Sequence, residues 1–509
     1  MPSERRLHPL SFLFSLGAQV RALLVPGLLV LFTARTSAWG WETWTMFVCI
    51  PVALGSLFHY LFFRYRYDES EMVIRSGLIF RNERHVPYAR IQNIDAVQNV
   101  FHRLLQVAEV RVETGGGQEP EATMRVLPLA AFEEMRRRVF DESRRALADP
   151  GRDAVAPGPG APTPPLPQRV LLNLPVRELV LCGLIENRGM VVAGATFGLL
   201  WELGLADGIS DRLFGKTASA RGVGRELFLA FFGRGMPPFG KIALTLAAFA
   251  AFFVLMRLIS MVWAPVRLHG FTLARVGEDL RTHFGLFTRV STTIPLRRIQ
   301  TLTIREGPLH RLVDRAAVRV DTAGGGGGEN ATQREWLAPV IPRSELPRLL
   351  REVLPETDLE ATTWRKMPPR AFRRELKSCV IVAVAITLPF VNILRLWALP
   401  VLAILLGWAF VHAKLYVAHL GYAVTDGAVL FRSGWLWRQV TVARFAKIQA
   451  VALHESPFDR RAAMANVHVD TAGAGQASHR VHIPYLDLAD ALALFRHLST
   501  HAAQTAFRW

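Results

Sequence analysis

One 27-residue segment occurs three times without gaps, and no other feature constrains the possible folds as tightly. The first copy begins Arg90-Ile91-Gln92, the second Arg298-Ile299-Gln300 and the third Lys447-Ile448-Gln449. Each Gln is followed 11 positions later by Arg103, Arg311 or Arg460, and 22 positions later by Thr114, Thr322 or Thr471. An acid precedes each Thr (Glu113, Asp321, Asp470), and Gly116, Gly324 or Gly473 closes each copy. A further glycine, Gly77, Gly285 or Gly434, lies 14 positions before each Ile. A chain built this way is an array of one module, so its fold is decided once and used three times.

The segment reads as strand, turn, strand. Gln300, Leu302 and Ile304 share one face by period-two alternation, as do Gln92, Ile94, Ala96 and Gln449, Val451, Leu453. Each Gln is thereby placed on an apolar face, where an amide needs hydrogen-bond partners, and the expectation is that it pins a neighbouring loop. The second strand alternates as Val318, Val320, Thr322 and its counterparts. The recurring Arg and acid are expected to pair across the turn, contributing about 0–1 kcal/mol at a surface.

The pattern R/K-I-Q, then R, then V-x-V-x-T resembles the bacterial pleckstrin-homology domains of the YdbS/YdbT type, over nearly the whole chain. The resemblance implies α+β units: three PH-like small β-barrel or sandwich domains, each of seven strands closed by a C-terminal helix. They alternate with three two-helix transmembrane hairpins. It supplies no catalytic or ligand residues, so the motif residues are taken as structural. The third copy departs from the others where Arg444-Phe445 replaces Pro87-Tyr88 and Pro295-Leu296.

Composition agrees with membrane segments: 51% of 509 residues are hydrophobic, and the mean hydropathy is +0.22. Residues 1–64 read as an elbow and first hairpin, with spans near 16–34 and 44–63 and Trp39, Trp41 and Trp44 between them. A signal peptide ending at Ala38 is the alternative reading of the start. Residues 65–148 form the first domain and 149–169 a Pro/Gly-rich linker. Residues 170–265 hold an elbow and second hairpin, with spans near 189–206 and 242–263, and 266–356 the second domain. A basic segment and third hairpin occupy 357–415, with spans near 378–394 and 396–413, and 416–509 is the third domain. Lys and Arg at the span ends place all three domains in the cytoplasm, in a multi-pass protein of the bacterial inner membrane.

A net charge of +18 suits an anionic partner. Membrane-flanking cations explain the excess, so nucleic acid is not expected. Arg370, Arg373, Arg374 and Lys377 recur at i, i+3, i+4 and i+7 after Pro368-Pro369, a helix face suited to anionic lipid. The first hairpin turns (Asp68–Glu71, Gly277–Asp279, Thr425–Gly427) are acidic, which argues against inositol-lipid recognition.

Phe214-Gly215-Lys216-Thr217 lacks the earlier glycine and strand of a phosphate-binding loop. His412 and His482 stand apart in sequence from other ligand types, and Cys49, Cys182 and Cys379 have no metal or disulfide spacing. The expectation is therefore a non-enzymatic membrane protein without cofactor, metal or catalytic residues. Its domains would bind a partner protein, each other or the bilayer in an assembly or envelope-defence role. A transporter or export component, motivated by Glu202 in a span, is the alternative.

Overall fold

The structure, a computed structural model, describes residues 60–68, 70–77, 81–88, 91–114, 122–145, 168–186, 237–322, 336–355, 357–359, 361–391, 395–471 and 480–504, with isolated positions before 60 and residue 194. Most of the first hairpin, the span near 189–206 with Glu202, and most of the linker lie outside the described residues. So do Arg90, Gly116, Gly324 and Gly473.

Each repeat contributes four strands and then three. In the first, β1 (Arg5–Arg6), β2 (Arg64–Tyr67), β3 (Glu71–Ser76) and β4 (Asn82–Pro87) precede β5 (Ile91–Gln98), helix α1 (Val100–Leu104), β6 (Val107–Thr114), β7 (Ala122–Pro128) and helix α2 (Leu129–Arg145). The second has β8 (Gln168–Asn173), α3 (Val176–Ile185), α4 (Pro238–Leu268), β9 (Thr272–Val276), β10 (Asp279–Phe284) and β11 (Arg289–Pro295). It continues with β12 (Ile299–Glu306), α5 (Pro308–Leu312), β13 (Arg315–Thr322), β14 (Trp336–Pro342) and α6 (Leu346–Val353). The third has β15 (Arg365–Lys366), α7 (Arg370–Thr387), α8 (Ala398–His419), β16 (Gly421–Val424), β17 (Ala428–Ser433) and β18 (Arg438–Arg444). It ends with β19 (Ile448–His454), α9 (Pro457–Arg461), β20 (Met464–Thr471), β21 (Arg480–Asp487) and α10 (Leu488–Gln504).

The expected seven strands are present, but the first of each set is cut off from the rest by the hairpin stretch. Arg365 and Lys366, placed in the sequence within one basic segment, pair as a strand with Tyr422 and Gly421. Arg5 and Arg6 likewise pair with Tyr65 and Arg64. The elbow expected at the start of residues 170–265 begins as strand β8 before α3 forms. The expected closing helix of the second domain starts only at Leu346, because Trp336–Pro342 runs as strand β14. That of the third domain starts at Leu488, after Tyr485, a strand residue at φ +61°.

In the first and third repeats the core lies between the two half-sheets. In the first, Tyr65, Met72, Ile74 and Val86 pack on Ile91, Ile94, Val110, Val112 and Met124, with Phe132, Met135 and Val139 of α2 closing over them. Leu420, Tyr422, Val429 and Phe431 meet Ile448, Val467, Val469, Ile483 and Leu494 in the third. Each such side chain stabilises the domain by about 1.5–3 kcal/mol when fully buried.

The packing divides the chain into two units. One is Leu172–Thr272 with Phe284–Phe287, and the other is the rest. Within the smaller unit α3 crosses α4 so closely that a Cβ at Gly183 would stand 2.7 Å from Met261 Cα. Arg257 Nη1 donates to the Leu184 and Ile185 carbonyls at 2.6 and 3.1 Å, and Ser260 Oγ to the Glu186 carbonyl at 2.6 Å. These bonds satisfy the C-terminal carbonyls of α3.

Two described helices are long and apolar enough to cross a membrane, Ile242–Leu268 and Arg395–His419. Only 6% and 17% of their apolar windows is buried, which is unlike a soluble core helix. α7 begins at Arg370, where Pro368-Pro369 releases the chain, and ends in apolar residues. Six spans exceed what these helices establish.

Candidate functional site: the seams between repeats

The recurring residues build a hairpin of fixed register. Ile91 pairs with Thr114, Ile299 with Thr322 and Ile448 with Thr471, and a β-bulge follows each Ile. The Gln occupies that bulge, which re-aims a side chain that plain alternation would assign to one face. Gln300 is buried, at 4% exposure, yet its Nε2 donates only to the Arg298 carbonyl at 3.3 Å and its Oε1 has no partner among the described residues. The expectation that Gln pins a loop finds no support at Gln300. Gln449 is exposed instead. The side chain of Gln92 lies outside the described residues.

Between the two motif strands sits a one-turn helix, α1, α5 or α9, ended by a residue in the left-handed region: Gln106 (φ 54°), Asp314 (φ 52°) or Ala463 (φ 52°). Asn99 and Ser456 accept the backbone N–H three residues on. At Gly307, which has no side chain to do this, the His310 ring bonds the Gly307 N–H at 3.2 Å. Burial holds His310 near a pKa of about 4, well below an ordinary imidazole. Gly77, Gly285 and Gly434 all have positive φ, at 99°, 113° and 79°. At Gly434 a Cβ would also collide with the Trp437 carbonyl.

The expected pair between the motif Arg and the motif acid does not form in the second repeat. Asp321 accepts from Thr301 Oγ1 at 2.6 Å. Arg311 turns away and donates to the Leu436 carbonyl at 3.0 Å, in the third repeat. The reason is the sheet topology, which no local pattern in the sequence displays. The half-sheets of different repeats join edge to edge, in the orders β7-β6-β5-β11-β10-β9-β8 and β14-β13-β12-β18-β17-β16-β15.

Seam one pairs Arg289 with Gln98, Val290 with Val97 and Ser291 with Ala96. Seam two pairs β12 with β18 from Thr301↔Ala443 to Glu306↔Arg438. Around seam two, Thr303 Oγ1 and Thr441 Oγ1 stand 3.5 Å apart, and Trp437 lies 3.2 Å from the position of a Cβ on Gly307. Arg444, the departure from Pro in the third copy, donates to the Leu296 carbonyl at 3.4 Å. Four cations crowd here. Burial and neighbouring Arg297 push Arg298 down to about 10, and burial with Arg444, Arg297 and Arg298 lowers Lys447.

The third hairpin stands directly on the third repeat. Arg374 Nε donates to Asp459 Oδ1 at 2.8 Å, and its guanidinium lies over Phe458. Of the four residues proposed for anionic lipid, Arg374 is thus committed to α9, while Arg370, Arg373 and Lys377 are exposed. Burial opposes ionisation of Asp459, and hydrogen bonds from Ser456 and Arg374 outweigh it, so its pKa is lowered.

Two histidines that stand apart in sequence gain neighbours in the fold. His482 stacks on His468, with ring centroids 4.3 Å apart. The ligand atoms of Glu375, Cys379 and His412 lie within 4.8 Å of one another. That trio is internally satisfied: Tyr485 donates to Glu375 at 2.6 Å, Cys379 contacts the other carboxylate oxygen at 3.6 Å, and Trp435 donates to His412 Nδ1 at 3.1 Å. A ring accepting at Nδ1 carries its proton on Nε2 and offers no second lone pair to a metal.

The bacterial PH domain family matches the chain at residues 14–143, 230–357 and 377–502, so each match takes in membrane-flanking sequence as well as a domain. The transmembrane protein YdbT of Bacillus subtilis (strain 168) is 22% identical over 514 aligned positions, which cover 97% of each chain. No solved structure matches the chain significantly.

Proposed function

Since the chain belongs to the bacterial PH domain family, we propose that it is a non-enzymatic membrane protein that holds a platform of three PH-like domains at the cytoplasmic face for binding. The observation that carries this reading is the pair of seams: domains zipped into shared sheets present one joint surface rather than three tethered ones. Support for the membrane comes from the two exposed apolar helices and from the length over which the chain resembles a transmembrane protein. The exposed Arg370, Arg373 and Lys377 at the foot of α7 supply an electrostatic contact to anionic lipid, about 1 kcal/mol each near such a surface. Reporter fusions test the arrangement. Fusions at Gly160, Glu360 and the C-terminus are expected to report cytoplasm, and one near Ala218 the opposite side. A cytoplasmic signal at Ala218, or an external one at Glu360, overturns cytoplasmic presentation by a multi-pass protein.

A further inference from the structure

The two seams are one interface used twice. Ile299 lies 208 positions after Ile91, and Ile448 lies 149 after Ile299. Shifted by these offsets, Ser291↔Ala96 of seam one becomes Val440↔Ile304, which is a pair of seam two. Their registers are therefore identical.

The second repeat uses both of its half-interfaces, β11 and β12, whereas the first uses only β5 and the third only β18. Among the described residues, β4 is an edge of its sheet and β19 an edge of another. Their burial shows what is missing. In β12, covered by β18, Gln300, Thr301 and Leu302 are all buried. In β19 the counterparts Gln449 and Ala450 are exposed and Val451 is half-buried. β11 buries Val290 and Thr292–Pro295, whereas Asn82–His85 of β4 are all exposed. Arg460, the counterpart of the seam-spanning Arg311, is exposed beside β19. A seven-residue edge reading Ile-Gln-Ala-Val-Ala-Leu-His, without Pro or Lys, is the kind of strand that recruits another.

We infer that β19 of one copy pairs with β4 of a second copy of this chain, in the register of the internal seams, so that the protein assembles head to tail. Carrying the seam-two register forward sets Val451 opposite His85, Ala452 opposite Arg84, Leu453 opposite Glu83 and Glu455 opposite Arg81. The last pair reproduces Glu306↔Arg438 with the same charges in the same places. The contact is heterologous, because different strands meet, and such contacts build closed rings or open filaments. Pairing of β19 with β19 would forgo the complementarity that both internal seams display. The inference goes beyond the platform proposed above, which a single chain could also form. Its failure would leave the reporter-fusion result standing.

The test is crosslinking in native membranes with a short bis-maleimide. Thr303→Cys with Thr441→Cys in one chain is the fold control and is expected to crosslink within the chain. The equivalent positions on the two edge strands are Ala452 and Arg84. Chains carrying Ala452→Cys and differently tagged chains carrying Arg84→Cys, produced together, are expected to give a product of twice the chain mass bearing both tags. Neither is expected to do so alone, against the parent chain with its native cysteines. A chain with both substitutions is expected to give species beyond the dimer. Moving the second cysteine to Glu83, on the opposite face, is expected to abolish most of the product. Absence of the mixed dimer while the control reacts overturns the inference. So does equal dimer formation by Ala452→Cys alone, or closure of Ala452→Cys with Arg84→Cys inside one chain.

Discussion

At the scale of single residues, position in the repeat decides what a side chain costs. Gln300 sits in a bulge with its Oε1 unpaired and its Nε2 on one long local bond. Replacing it by Leu takes a long, weak bond from the Arg298 carbonyl but also removes an orphaned buried acceptor, two effects of opposite sign. Gln300→Leu is expected to shift stability by less than about 1 kcal/mol, read from thermal melts; a loss of several kcal/mol would show the amide to be a true anchor. His310 behaves differently, because its ring must stay neutral to accept the Gly307 N–H. Its folded pKa of about 4 is below the unfolded value of 6.5, so the unfolded chain takes up the proton first. The stability it confers is complete above pH 6.5 and is lost as pH falls toward 4. Asp459 holds the same place in the third repeat and bonds the Ser456 N–H as a carboxylate. His310→Asp is therefore expected to flatten the melting temperature between pH 6.5 and 4.5, and an unchanged slope would assign the titration elsewhere.

At the scale of elements, the basic face of α7 divides into one anchor and three free charges. Loss of Arg374 leaves the Asp459 carboxylate, 3% exposed, with Ser456 and Asn466 Nδ2 as remaining donors. We expect Arg374→Gln to cost about 1–3 kcal/mol, less than for a fully buried pair because the guanidinium is partly solvated. Arg370→Gln, Arg373→Gln and Lys377→Gln together are expected to leave stability unchanged. In a peptide of residues 362–378 the same three changes should weaken binding to anionic vesicles, and the parent peptide should be released as salt rises. Binding to neutral vesicles that is equally strong would exclude an electrostatic contact. Both proline break and helical face were legible from spacing alone, since Pro368-Pro369 blocks a helix and i, i+3, i+4, i+7 defines a stripe. Which of the four cations faces protein was not legible, because Asp459 lies 85 positions away.

At the scale of the molecule, the hairpin motif was readable and the seams were not, for one physical reason. Ile–Thr pairing, the valine alternation and the glycine turns are local, so each leaves a short-range signature. Edge-to-edge joining pairs Ala96 with Ser291 across nearly two hundred residues, and the alternation of either strand reads the same with or without the neighbour. That blindness explains why residues 65–148, 266–356 and 416–509 look like independent domains when each shares a sheet with the next. The two descriptions differ in a measurable way. If seam one carries real stability, the covalent link between the first and second repeats is dispensable. A chain divided at Gly160 and expressed as residues 1–160 and 161–509 is expected to copurify from detergent extracts as one complex. Ser291→Pro is expected to separate the halves: the ring removes a backbone N–H, and the middle of a sheet tolerates proline poorly. Because Ser291 is only half-buried, the 161–509 half should still fold and resist proteolysis on its own. Halves that part without the substitution would mean that the linker, and not β5–β11, keeps the first domain beside the second.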